Sequence, residues 1–356
     1  MLYQGLIIAL LILRYALADK TILSKQVYFF VLFGLFLFSA FRYQVGCDWS
    51  GYYYQYLRAA DLDWPSIMKE REPIWWAILG WMQDKSLPYP VVNIASSAVF
   101  FIGVHVLARR QPDPLGFLVL LFPILIINMP MSGIRQGAAI GILCIAFAAF
   151  IDRRPVWYAF WVIVATGFHV SALVLMLALP LSSGSYTRTR LILTAILAVP
   201  GAYALGTGEA AELATDRYLG TGIDAAGAIY RLGILGLSTV FFFMFIRKKW
   251  KHTFPSDYAL ASIGAIGMAF AFLLLPISSV IGDRFGYYLI PIQVMIFARL
   301  PFLPFQVNKA LYSVLPYLGL LIVFMVWSQL SWHFQQCYIP YQGWLFGFPG
   351  GNLSGF

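Results

Sequence analysis

The chain has 356 residues, of which 61% are hydrophobic and 11% charged, with a mean hydropathy of +0.77 and a formal net charge of +9. A soluble domain carries about 25% charged residues, so this composition cannot coat a water-exposed surface and excludes a soluble enzyme. The Lys and Arg excess lies between apolar runs rather than in one basic patch, which excludes nucleic acid as partner and reads as a topology signal.

In chain order, the first apolar run is Leu2 to Ala18, broken only by Gln4 and Arg14. Ala16-Leu17-Ala18 has the form of a signal-peptide cleavage site, but no basic residue precedes the run, so a retained helix is expected. Val27 to Phe41 follows. The aromatic stretch Pro73 to Met82 is only about ten residues, too short to span, and is expected to be an interfacial helix with Trp75, Trp76 and Trp81 as belt residues. Val91 to Ala108, Gly133 to Ile151 and Ala310 to Trp327 are longer runs that read as membrane helices. Lipid offers the backbone no hydrogen-bond partner, so the fold class is all-α: one polytopic transmembrane domain over residues 1–356.

Basic groups flank these runs at Lys20 and Lys25, Arg109 and Arg110, Arg153 and Arg154, Arg188 and Arg190, Arg247 to Lys251, and Arg299 with Lys309. If every group is cytoplasmic, an even number of crossings separates each from the next. The run Trp157 to Leu179 obeys this only as a hairpin of two short helices meeting near Gly167-Phe168-His169. The count is then roughly twelve crossings, short ones included, with both termini periplasmic. Residues 42–90, with the interfacial helix, 206–227 and 331–356 become the main periplasmic segments, and chemistry is expected in a cavity on that face.

Several groups there carry chemistry. Asp48 and Tyr52 lie among glycines and aromatic rings after the second run, a mixture that suits sugars: rings pack on pyranose faces and carboxylates bind hydroxyls. The competing explanation is an aromatic belt. Glu72 precedes Pro73. Ser132-Gly133-Ile134-Arg135-Gln136-Gly137 opens an apolar run, so that a helix N-terminus and the forked guanidinium of Arg135 would favour an anion. His169 sits inside an apolar run, where a titratable group is a functional candidate by default. Asp216-Arg217-Tyr218 and Asp283-Arg284-Phe285-Gly286-Tyr287-Tyr288 pair an acid and an arginine with aromatics; Arg135, Arg217 and Arg284 together would make a cationic pocket for a pyrophosphate, which Arg231 could join. Cys144 reads as a packing residue, whereas Cys47 and Cys337 fall in segments placed outside the cytoplasm, where a disulfide can form. No CxxC or histidine-rich metal pattern is present.

Val45-Gly46-Cys47-Asp48-Trp49-Ser50-Gly51-Tyr52, Glu72-Pro73, Ile134-Arg135-Gln136-Gly137, Phe168-His169-Val170-Ser171-Ala172, Arg284-Phe285-Gly286-Tyr287-Tyr288 and Cys337-Tyr338-Ile339-Pro340-Tyr341 together resemble the EpsG family of exopolysaccharide proteins, which looks like the Wzy type of polysaccharide polymerase. The resemblance implies a multi-pass protein of the bacterial inner membrane that joins polyprenyl-diphosphate-linked repeats on the periplasmic face without a metal or other cofactor. It implies lipid-linked donor and acceptor as partners, with a co-polymerase and a flippase nearby. On this resemblance Arg135 and Arg284, with Arg217, hold the diphosphate, and Asp48, Glu72 or His169 is the base, the last two preferred. Tyr52, Trp75, Gln136, Tyr287 and Tyr338 contact sugar. A ligase of the same chemistry and a transporter of lipid-linked sugars are the rival functions.

Overall fold

The computed structural model describes residues 1–18, 20–183, 187–190, 192–194, 196, 227–305 and 308–347. These are helical throughout apart from turns and one isolated bridge between Arg42 and Gly343. Helices α1 (Leu2–Ala16) and α2 (Thr21–Ala40) precede three helices of the first long loop: α3 (Trp49–Ala59), α4 (Trp64–Ile67) and α5 (Pro73–Asp84). Then come α6 (Pro90–Ala108), α7 (Pro114–Leu121) with a π-helical continuation Phe122–Ile126, α8 (Ile134–Ile151) and α9 (Pro155–Phe168). A 3-10 segment (Val170–Leu181) follows. Beyond residue 226 lie α10 (Ala228–Phe241) with a π-helical extension (Phe242–Ile246), α11 (Arg247–Thr253), α12 (Tyr258–Leu273), α13 (Ser279–Ala298), α14 (Lys309–Leu330) and α15 (Trp332–Tyr338).

Among the described residues, six helices are long and apolar enough to cross a membrane, and five more apolar helices are shorter. The protein is therefore a multi-pass membrane protein. The expected periplasmic segment 206–227 falls outside the described residues except for Gly227.

Two helices form the centre. In α8 and in α13, 78% of the spanning window is buried, against 17% in α2 and 22% in α14, which are therefore peripheral. The composition of α8 explains its place: its Gly and Ala residues let α6 come within backbone contact. A Cβ built on Gly103 would lie 1.7 Å from the carbonyl oxygen of Gly141, so neither position tolerates a side chain. Cys144 is buried in this helix, a packing residue.

The run Trp157 to Leu179 does fold back on itself. Helix α9 ends at Phe168, His169 is extended (φ −153°, ψ 113°), and the 3-10 segment returns along α9, with Tyr158 Oη donating to Leu175 O at 2.6 Å. The bend thereby brings His169 to the end of the hairpin.

The first loop differs from expectation in two respects. The tyrosine-rich stretch after Asp48 is a helix, α3, which buries Tyr52, Tyr56 and Ala59 at helical spacing against α5. Helix α5 is short, as expected, but Trp75 and Trp76 are 1% and 5% exposed, so they are core residues and not belt residues. Only Trp81, 49% exposed, faces outward. The reason is periodicity: positions 75, 76, 79 and 82 share the face of α5 that packs on α3 and α6.

Candidate functional site

Arg42 organises the entrance to the site. It is 2% exposed and has no carboxylate partner among the described residues; its guanidinium donates instead to the carbonyls of Ser39 (2.6 Å), Met131 (2.9 Å) and Val45 (3.2 Å), and to Asn93 Oδ1 (2.9 Å). These bonds tie the end of α2 to the turn that precedes α8. The chain then passes so close to that turn that a Cβ on Gly46 would lie 1.9 Å from Met131 O, and Gly46 adopts φ +104°, which favours glycine. Gly46 N donates to Cys337 O (2.7 Å) and Cys47 N to Ser132 Oγ (3.0 Å). The C-terminal segment closes over the same place: Tyr43 N donates to Gln342 O, Trp344 N donates to Phe41 O, and Cys47 is disulfide-bonded to Cys337. The sulfurs come within 4.8 Å of a His333 ring nitrogen, but both are committed to the disulfide.

Behind this frame lies a polar cavity of about 310 Å³. Of the candidates named from sequence, Asp48, Tyr52, Arg135, Gln136, His169, Arg284, Tyr287 and Tyr338 line it. Arg217 lies outside the described residues. Trp75 does not reach the cavity: it is buried behind Tyr52, ring centroids 5.6 Å apart, and its indole N–H donates to Gln55 Oε1 at 2.9 Å. Its role is to back the wall, since packing against α3 leaves no face for a sugar.

Glu72 is the hub. It is 5% exposed, at the start of α5, and does not itself line the cavity. Arg135 Nη1 donates to Oε2, while Oε1 accepts from Val170 N at 3.1 Å and lies 2.6 Å from His169 Nδ1. A carboxylate only accepts, so Nδ1 carries the hydrogen and Nε2 of a neutral His169 is the acceptor. One carboxylate thus orients a guanidinium and an imidazole from two elements, α8 and the hairpin bend. Burial pushes the Glu72 carboxyl up, but the hydrogen bond from His169, the charge of Arg135 and the bond from Val170 N outweigh it and hold the pKa below its usual 4.5. The sign follows: a depressed carboxyl stabilises the fold above its unfolded pKa, and the contribution is lost as pH falls through the folded value. Unfolding midpoints in detergent are therefore expected to separate wild type from Glu72→Gln widely at neutral pH and to converge as pH drops below about 4.5. A gap that is constant with pH would show that Glu72 is not ionised in the fold.

The opposite wall belongs to α10 and α13. Arg231 makes a bidentate pair with Asp283 (2.8 and 2.7 Å) and lies 5.4 Å from the Tyr287 ring centroid. Gln136 Nε2 donates to Arg284 O at 2.6 Å, which pins α8 to α13. Ser171 and Tyr288 share a hydroxyl–hydroxyl bond of 2.8 Å that ties the hairpin to α13. Asp48 is exposed to the cavity and its Oδ2 accepts from Ser132 Oγ at 3.3 Å. Arg231 is a full member of this wall, which sequence spacing alone did not decide. Its signal was an arginine one turn inside an apolar helix.

Three arginines (135, 231 and 284) and two aspartates (48 and 283) line the cavity, which leaves one net positive charge with His169 neutral. The arrangement can hold an anion between Arg135 and Arg284, present Nε2 of His169 to a hydroxyl, and offer tyrosine faces to a pyranose. A sequence model of the EpsG family matches residues 25–343. No curated protein and no solved structure matches the chain.

Proposed function

We propose a reaction from one premise: this chain belongs to the EpsG family, a Wzy-type polysaccharide polymerase family. The reaction joins polyprenyl-diphosphate-linked oligosaccharide repeats into an extracellular polysaccharide, on the outer face of the bacterial inner membrane. A hydroxyl oxygen of the acceptor repeat attacks the anomeric carbon of the growing chain, the bond from that carbon to the diphosphate oxygen breaks, and the electron pair leaves with the lipid diphosphate. The hydroxyl proton passes to His169 Nε2.

The observation that carries this reading is the Glu72 hub. Glu72 is already engaged by Arg135, His169 and Val170 N, and its lowered pKa makes it a poor base. Its part is to orient the imidazole, the logic by which a buried carboxylate fixes the tautomer of a catalytic histidine. Arg135 and Arg284 stabilise the charge that develops on the diphosphate. Arg231, held by Asp283, is a further cation in this scheme beside Arg135, Arg284 and Arg217. Asp48, Gln136, Tyr52, Tyr287 and Tyr338 are the sugar-facing groups. The cytoplasmic side is then the one that carries the basic clusters, and a co-polymerase and a flippase are the natural partners.

The test is purified protein incubated with one defined lipid-linked repeat. A ladder of lipid-linked oligomers is the expected product, and His169→Ala should slow its formation by about 10²–10⁴-fold, the usual contribution of a positioned base. Movement of the repeat across a vesicle membrane with no new glycosidic bond would instead identify a transporter.

A further inference from the structure

A second cavity, also of about 310 Å³, lies along α5 and is lined only by Met68, Pro73, Ile74, Ala77, Ile78 and Trp81. Residues 73, 74, 77, 78 and 81 follow one another at the spacing of a single helix face, the face opposite the buried Trp75, Trp76 and Leu79. At 1.5 Å per residue that stripe is about 12 Å long. Its outer end is open, with Met68 60% and Trp81 49% exposed. Its inner end abuts the hairpin: Gly167 has no side chain, and a Cβ there would strike Ile74 at 2.6 Å, so α5 seats directly on the bend that carries His169.

The groove begins next to the residue that holds the polar site together. Pro73, the first groove residue, directly follows Glu72, whose carboxylate holds Arg135 and His169. A cationic end and an apolar channel joined at one helix start match an amphiphile with an anionic head and a long hydrocarbon tail. We propose that this groove binds the isoprenoid tail of the donor lipid, the one whose diphosphate lies at Arg135. The inference rests on the polymerase reading for its head group. The groove itself contributes a tail path that starts beside the site and opens outward at Trp81, a residue type suited to the membrane interface. Met68 at the rim is an adaptable side chain that suits a kinked, unsaturated chain.

The experiment uses the whole protein and a sugar-free polyprenyl diphosphate with a photoreactive group on the isoprene nearest the diphosphate. After irradiation, mass spectrometry should find the label within residues 68–81. Unlabelled polyprenyl diphosphate should displace it, and excess phosphatidylglycerol should not. Label spread over peripheral helices such as α2 and α14, or displaced equally by phosphatidylglycerol, overturns the proposal and leaves an ordinary lipid contact. In a second arm, Ala77→Trp fills the groove. The ratio of KM for a long-tailed repeat to KM for a short-tailed one should rise about tenfold, on the order of two buried methylenes lost. An equal change for both substrates overturns it. A wild-type protein that makes no polymer defeats the polymerase reading, while the labelling result still decides the groove.

Discussion

Arg135→Ala is expected to abolish polymer and leave single repeats on their lipid, with kcat reduced by about 10²–10³-fold, the cost of removing one charge-stabilising donor from a preorganised site. Arg135 is suited to this part because it is held and still available. Glu72 takes its Nη1, the Tyr52 ring lies 5.6 Å from the guanidinium carbon, and its Nε has no acceptor among the described residues. The substitution should spare the fold, since Glu72 keeps His169 and Val170 N as donors. Arg135→Lys retains charge but not the planar fork, and should recover only part of the rate. The measurement is the gel distribution of lipid-linked products over time, beside a chromatographic check that the variant is monodisperse. Normal chain lengths from a well-folded Arg135→Ala would remove the diphosphate from this part of the wall.

The largest expected effect on stability lies far from the chemistry. Arg299, at the end of α13 and 2% exposed, donates to Asp257, to Gln111 Oε1 (2.8 Å) and to the Arg110 carbonyl (3.3 Å), with the Phe254 and Trp250 rings 4.7 and 5.6 Å away. One cation thus draws together the residues after α6, the loop before α12 and the end of α13. Asp257→Ala leaves that cation buried and unpaired, which should cost about 3–5 kcal/mol. Asp257→Ala combined with Arg299→Met removes both charges and should recover most of the loss, because an apolar replacement of a buried pair is close to neutral. Denaturation of the wild type, Asp257→Ala, Arg299→Met and the double variant in one detergent measures this coupling. Simple additivity of the two single losses would mean that the pair is energetically independent. Catalysis per folded molecule should persist, since fifteen residues of α13 at 1.5 Å each put Arg299 about 22 Å from Arg284.

How far the sequence reveals this molecule depends on the range of the interaction. Helices are legible because lipid forces the backbone to satisfy itself locally, and α6, α8 and α14 lie where the apolar runs lie. The hairpin at His169 is legible for a different reason: the basic residues on either side constrain the parity of the crossings. Arg135, His169 and Arg284 line one cavity, although they lie far apart in sequence. What periodicity cannot convey is which side chain meets which. Glu72 looks like one of several loop acids, and its grip on two elements depends on separations of 63 and 97 residues. Trp75 looks like a sugar platform because aromatic composition says nothing of which face of α5 is covered. The isolated arginines 135, 231 and 284 line one cavity, yet the partner that fixes Arg231 lies 52 residues away in sequence.

The strands of contact between residues 41–47 and 337–344 give the chain a closed order. The end of α2 and the segment around α15 are thereby fastened to each other. A ribosome delivers these parts at opposite ends of synthesis. The wall formed by Cys47, Asp48 and Tyr338 does not exist until the final segment arrives. A chain that stops before Cys337 therefore has most of its apolar helices but lacks this wall of the cavity.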